Sequence, residues 1–433
     1  MKIRPSDQQG SALLIILLTV AIIGVTMASY LNLVSSQNLS SMRSLQWNTS
    51  IPVAEAGIEE AMTHLYYNAT NRGTEGWTLS DGYYRKERSL GETKYVTLIS
   101  VATPPVIYSS AYVRVPLGTN YIDPPRTIFV TTTNESLFAR GLVAKGQIDM
   151  SGNNVSTDSF DSISTTYSTG GRYDAAKAKD GGSVATNASL TNSFGVGNAD
   201  IHGKASMGPG GIPSLGPGGG IGPVAWRNAG NDGIYTNWFK DDMNVSFPDV
   251  QLPFNGGATT PTSGTVGGTN YNYVLGNGNY QLTGLSMSGN AGNVMLINGN
   301  ATLLVTGNIS IAGNASIRIA PGGQLKLYMS GASASLGGNG CINDNANATN
   351  FFYYGLPTNT SVSLGGNAGF TGVVYAPSAA CTLGGGGNNT TDFIGASVTG
   401  SVRMNGHFNF HYDENLGRLA TGRGFIVTSW QEQ

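Results

Sequence analysis

The feature that most constrains this chain is an uninterrupted apolar run, from Ala12 to about Val34, that begins a few residues into the sequence. It holds no charged residue and only small or weakly polar interruptions at Thr19, Gly24, Thr26, Ser29 and Asn32. A helix that crosses the hydrocarbon core of a bilayer needs about 20 such residues. A charge at its centre costs about 3 kcal/mol on insertion scales. Lys2 and Arg4 precede the run and no comparable basic cluster follows it directly. The positive-inside bias therefore places the N-terminus in the cytoplasm and the rest of the chain outside.

A helical pattern resumes beyond the run. Ile51, Ala54, Ile58, Ala61 or Met62, and Leu65 recur at three- and four-residue steps and make one apolar stripe, with Glu55, Glu59 and Glu60 off it. Pro52 is expected to kink or restart this helix. The alternative is a conventional signal cut near Thr26-Met27-Ala28. Against it, the run continues to Leu31, Leu33 and Val34.

Gly10-Ser11 before an apolar helix resembles the class III leader of type IV pilins, and Ala54-Glu55-Ala56-Gly57-Ile58-Glu59-Glu60-Ala61 resembles the segment of PilX-type minor pilins. The resemblance is close over the first 70 or so residues and looser to about 135. It implies a leader over 1–10, cleavage after Gly10 by a prepilin peptidase, and N-methylation of Ser11. It also implies an inner-membrane stage before assembly with other pilins. The sequence departs from the family pattern at the fifth mature position: bulk-assembling pilins carry a glutamate there, and this chain has Ile15. A buried charge needs a partner. Without that glutamate the chain lacks the pairing and reads as a minor, initiating or tip subunit.

Only 11% of residues are charged, against about 25% in ordinary soluble domains. Glycine reaches 62 of 433 residues, while hydrophobic content stays at 40%. The chain can therefore build a core, and its surface must be largely Asn, Ser, Thr and Gly. The formal net charge of −2, without a basic stripe, gives no support for nucleic-acid binding.

The expected fold class is α+β: a long N-terminal helix over 11–67, membrane-spanning over about 12–34, with a small antiparallel β meander at 68–136. Lys94–Val101, Val106–Pro116 and Arg126–Thr133 are its strands, after a polar connection from Tyr66 to Leu90. Beyond Leu137 short alternating strands are punctuated by Gly-Asn: Ile309 and Ile311 flank Ser310, Ile317 and Ile319 flank Arg318, and Leu325 and Leu327 flank Lys326. Each strand thus has one buried and one solvated face. A hairpin sandwich and a β-solenoid both produce this pattern. The shortness of the strands favours a right-handed parallel β-helix over 137–416, with coils of about 20 residues. A Gly/Pro-rich excursion at about 205–270 interrupts it, and 417–433, with a strand at Gly424–Trp430, closes the stack. Gly365–Pro377 and His411–Glu414 resemble the uncharacterised C-terminal domain attached to PilX-like N-termini, which bears on architecture and not on activity.

Candidate chemistry is sparse. Cys341 and Cys381 form either one disulfide or two buried thiols in neighbouring strands. The disulfide is the expectation, closing a loop of about 40 residues for roughly 4 kcal/mol. His407, Asn409, His411 and Asp413 share one face of a strand, but His407 and His411 stand about 13 Å apart, too far for one metal. The expected metal and cofactor content is none. Asp344, Asp392, Asp413 and Glu414 are the carboxylates a polysaccharide-cleaving β-helix would need converging on a groove, and no motif ties them together. The chain reads as a non-enzymatic minor pilin or pseudopilin that displays a β-solenoid on a pilus or at the cell surface. The alternative is a membrane-anchored adhesin or carbohydrate-binding protein with a surface or glycan ligand.

Overall fold

The computed structural model describes every residue except 1–8, 69–70, 115–120, 123, 153, 191, 290–291, 367–368, 386–390, 407, 420–421 and 433. The chain forms two compact units. Unit 1 comprises Met1–Asn134 with Gly424–Gln433, and unit 2 is Glu135–Arg423.

Unit 1 is built on one helix, α1 (Gln9–Asn68), and an antiparallel sheet. The helix continues through Pro52 as one element, so of the kink or restart expected there the restart does not occur. Proline removes one donor, and here both Pro52 and Asn48, whose carbonyl loses that donor, are exposed, so water can replace the bond. The stripe read from the sequence is the packing face. Ala54, Ile58, Ala61 and Leu65 are buried against Trp77, Ile99, Ile107, Ile128 and Val130.

Gly57 sets how closely helix and sheet approach. A Cβ there would stand 2.2 Å from Ser109 Oγ and 2.4 Å from Thr97 Oγ1, both on the covered face of the sheet. At the edge of the same face Glu60 ties helix to sheet. Its carboxylate meets Lys86 Nζ at 2.9 Å and Arg88 at 2.8 Å, and accepts from the Tyr95 hydroxyl at 2.6 Å. Burial alone would raise the Glu60 pKa, but the Tyr95 hydroxyl and the two cations outweigh it and hold the carboxyl below its ordinary value.

The sheet runs β1 (Thr78–Ser80), β2 (Tyr83–Leu90), β3 (Thr93–Ser100), β4 (Val106–Tyr112), β5 (Arg126–Ser136), then the C-terminal strand Gly422–Glu432. Two expectations are corrected here. The connection from Tyr66 to Leu90 contains β1 and β2. Its charged sequence YYRKERSL hid a mostly exposed strand that pairs along its whole length with β3. The C-terminal strand does not close the stack of unit 2 but completes the sheet of unit 1 beside β5. Thr131 Oγ1 bonds the Thr428 hydroxyl at 3.0 Å and Arg126 pairs with Glu432. Unit 2 is therefore inserted between two neighbouring strands of unit 1.

Unit 2 is mostly β, and its long strand runs are joined in parallel. Gly278 lies beside Ala301, Ala301 beside Leu325, and Leu325 beside Phe351, so that a strand pairs with another roughly two dozen residues further on. A second parallel ladder links Leu285, Ile309, Ala334 and Val362. A third, in a separate sheet, links Met295, Ile317 and Cys341, whereas Phe370, Phe393 and Phe410 are aligned in the same sheet as the first two ladders.

The ladders do not follow chain order. The final strands, Thr391–Asn405 and Phe408–Asp413, pair with the first strands of the unit, so that Ser397 lies beside Leu142, Val402 beside Ile148 and Phe408 beside Val155. From there the array grows outward through residues 184–186, 205–206 and 239–240. The Gly/Pro-rich excursion is correspondingly shorter than 205–270. Residues 205–240 carry strands only two residues long, below what periodicity can reveal, and these extend the ladders. Thr269–Leu275 belongs to a hairpin whose second strand joins the third ladder.

What remains, 241–261, is a strap laid along the array. It exchanges hydrogen bonds with Asn187 at Val245, accepts from the Tyr375 hydroxyl at Pro248 (2.7 Å), and reaches Asn279 at Thr259 (3.0 Å). Met243, Phe247 and Val250 are buried along it. It carries the chain from one end of the array to the other.

Candidate functional site

Two features stand out. The first is the N-terminal half of α1. From Leu13 to Leu33 its large apolar side chains are exposed all round, from 53% at Ile22 to 72% at Leu13, and Ile15 is among them. In water such a surface is costly. Among the described residues this is the one helix long and apolar enough to cross a membrane. Gly10 and Ser11 lie in its first turns, whereas residues 1–8 of the expected leader fall outside the described residues.

The second is a polar cluster on unit 2, where Phe408–Asp413 meets Val155–Phe160. Phe408 and Phe410 point into the core, and His411 points out. It is then covered, being only 4% exposed. His411 donates from Nδ1 to Asp158 Oδ1 at 2.5 Å, and Nε2 stands 3.5 Å from Asp392 Oδ1. The Tyr173 ring stacks on the imidazole with centroids 3.7 Å apart, and its hydroxyl donates to Asp158 Oδ2 at 2.6 Å. Tyr173 belongs to the segment between Phe160 and Val184, which Lys177 closes on itself by donating to the carbonyls of Thr165 and Ser168. Arg418 fixes its base by two bonds to Asp161, at 3.0 and 2.7 Å. Burial alone would lower the His411 pKa. The hydrogen bonds and charges of Asp158 and Asp392 outweigh it and raise the group to about 9.

A measurable consequence follows. A group whose folded pKa is raised contributes stability that is full below its unfolded pKa and lost as pH rises through the folded one. The contribution of His411 to unit 2 is thus expected to be full below pH 6.5 and to fall by on the order of 3 kcal/mol between there and about pH 9. His411→Gln should flatten that part of the curve. Denaturant unfolding of the full chain in detergent at several pH values, followed by amide exchange in unit 2, checks it.

The other residues singled out from the sequence have separate occupations. His407 lies outside the described residues. Asp413 is fully buried, accepts from the backbone amides of Ser162 and Asn415, and burial pushes its carboxyl up. Glu414 pairs with Lys179 and accepts from Ser159 (2.8 Å). Asp344 pairs with Arg318 at 2.7 Å, and Asp392 attends His411. The four carboxylates thus do not converge on one groove. Among the described residues no group of three or more His, Cys, Asp or Glu side chains is arranged to hold a metal ion.

The expected Cys341–Cys381 disulfide is not present. Both thiols are free and buried in different ladders, Cys341 beside Ile317 and Cys381 between Val362 and Val402. Burial raises both thiol pKa values, that of Cys381 to about 12. Sequence reasoning missed Asp158 and Tyr173, since nothing local marks either as a partner of His411.

Residues 255–419 match the model of a domain of unknown function, DUF7305. No curated protein matches the chain. Among solved structures, the competence-associated pilin ComZ from Thermus thermophilus aligns at 10% identity over 90% of this chain and 97% of its own, with a TM-score of 0.29. At that level the likeness carries no argument about this chain. None of these comparisons indicates a catalytic family.

Proposed function

We propose that the chain is a pilin-like, membrane-anchored structural subunit of the minor, PilX-like kind. In this reading it belongs to a type IV pilus or related filament, and unit 2 is a right-handed β-helix displayed at the cell surface. The observation that carries this is the division of labour along α1. One unbroken helix is apolar and exposed over its first half, and is packed against an antiparallel sheet through Ala54, Ile58, Ala61 and Leu65 over its second. Such a helix can pass from lipid to a bundle of similar helices without refolding, because both environments satisfy an all-round apolar surface. The parallel ladders, whose strands recur at nearly constant intervals, support the β-helix, and right-handed parallel crossovers are the rule.

In this reading a prepilin peptidase cuts after Gly10, Ser11 becomes the methylated first residue, and the partners are other pilins. Ile15 fits a low-copy subunit. Mass spectrometry of the N-terminal peptide from the native source tests the reading. A peptide that begins with N-methylated Ser11 is the expected result. A start at Ser29, or an intact Met1 in the surface-exposed protein, would overturn it.

A further inference from the structure

The two edges of the unit 1 sheet are unlike. One ends in β1, three residues long, beside β2, where Arg85, Lys86, Glu87 and Arg88 stand in succession. Short strands and charges are the usual means of preventing edge-to-edge pairing. The other edge is the C-terminal strand, 11 residues long and paired in this sheet, among the described residues, with β5 alone. From Gly424 to Gln431 it carries no charge and no proline. Ile426, Val427 and Trp430 are 36%, 43% and 45% exposed. An edge of this kind offers a row of main-chain donors and acceptors that only another extended strand can satisfy together.

We propose that this edge is a homodimer interface, in which the C-terminal strands of two copies pair antiparallel about a two-fold axis. The sequence of the strand argues for a second copy as the occupant. In a continuous antiparallel sheet with its axis normal to the sheet, each residue faces one on the same side of the pleat. An axis at Thr428 sets Ile426 of each chain opposite Trp430 of the other and the two Thr428 residues opposite each other. Aromatic–β-branched and Thr–Thr pairs are favourable cross-strand neighbours. The uncharged stretch brings no like charges together. The strand is thus complementary to itself, whereas the charged β1–β2 edge has no such match to it.

Cysteine cross-linking of the full chain in detergent tests this. Both native thiols are buried, so an engineered one at the surface reports alone. Thr428→Cys places two thiols at the axis, where antiparallel neighbours have Cα atoms about 4.5–5.5 Å apart, within disulfide reach. Under a mild oxidant most of the Thr428→Cys chain should run as a reducible dimer. Leu79→Cys, on the opposite edge, should remain monomeric. Adding Ile426→Lys to Thr428→Cys should cut the cross-link at least tenfold, with the melting curve of Thr428→Cys serving as the check on folding. Cross-linking at Thr428→Cys no greater than at Leu79→Cys, or a yield unchanged by Ile426→Lys, would show that the copies do not meet along this strand. A pairing that survives Ile426→Lys would place any association elsewhere, as along α1, and overturns the proposal equally.

Discussion

Gly331→Ala is expected to cost unit 2 about 3 kcal/mol or more, a large part of the roughly 5–15 kcal/mol that holds a domain folded. Gly331 lies in the corner between the strands Gln324–Met329 and Ser333–Leu336. A Cβ there would stand 2.0 Å from the carbonyl oxygen of Gly307 and 2.3 Å from its carbon. Gly307 is the matching corner one step earlier, and its own Cβ would meet the oxygen of Thr283 at 2.1 Å.

The obstacle is backbone, and it is held from several sides. Ser330 donates to the Val305 carbonyl at 2.9 Å, Ser333 to the Asn308 side chain at 3.1 Å, and Asn359 to the Gly331 carbonyl at 3.1 Å. Strands in a ladder lie about 4.8 Å apart. A corner that opens to admit a methyl group must therefore stretch the ladder bonds on either side. Overpacking commonly costs about 1–3 kcal/mol where side chains can give way; here they cannot. Gly322→Ala is the control. Its φ is +79° but nothing lies within 4 Å, so only the left-handed strain applies, about 1 kcal/mol. Urea unfolding of both variants, monitored by amide exchange in unit 2, separates a clash from a backbone preference. Equal losses would mean that the corner relaxes.

The face that the alternating strands between Ile309 and Leu327 bury was legible in the sequence, because alternation depends only on next-nearest neighbours. Ile309, Ile311, Ile317, Ile319, Leu325 and Leu327 are all buried, and Ser310, Arg318 and Lys326 between them are exposed. The stripe on α1 was legible for the same reason. Partners distant in the chain were not. That Phe408 lies beside Val155, and that the chain leaves unit 2 to finish the sheet of unit 1, depends on which edges remain open once the local ladders have formed. No periodicity records that.

His411 shows both sides. Its outward direction follows from the alternation with Phe408, Phe410 and Tyr412. Its partner Asp158 is 253 residues away, and the Tyr173 ring that covers it comes from a segment without strand pattern. The cysteines failed differently. Two cysteines in a chain read as exported suggested a bond, but each is a small apolar filler in its own ladder, and composition cannot tell those roles apart.

Phe393→Ala is expected to cost about 3–5 kcal/mol, the range for emptying a phenylalanine site in a core. Parallel register places Phe370, Phe393 and Phe410 one above another, with ring centroids 4.8 and 4.6 Å apart, and Phe351 continues the column at 5.3 Å. Phe393 is wholly buried between two rings. Cores that can collapse around a lost side chain lose less than those that cannot. The rings above and below are held to their strands by the ladder at fixed spacing, so they cannot close the gap, and the loss should fall near the top of the range. The void would be apolar on every side and so stay dry, as apolar cavities of this size do. Benzene should then occupy it and restore part of the stability of Phe393→Ala while leaving the parent chain unchanged. Melting of both chains with and without benzene reads this directly. A loss below about 1.5 kcal/mol, with no response to benzene, would mean that the column closes up and that the parallel register does not fix its spacing.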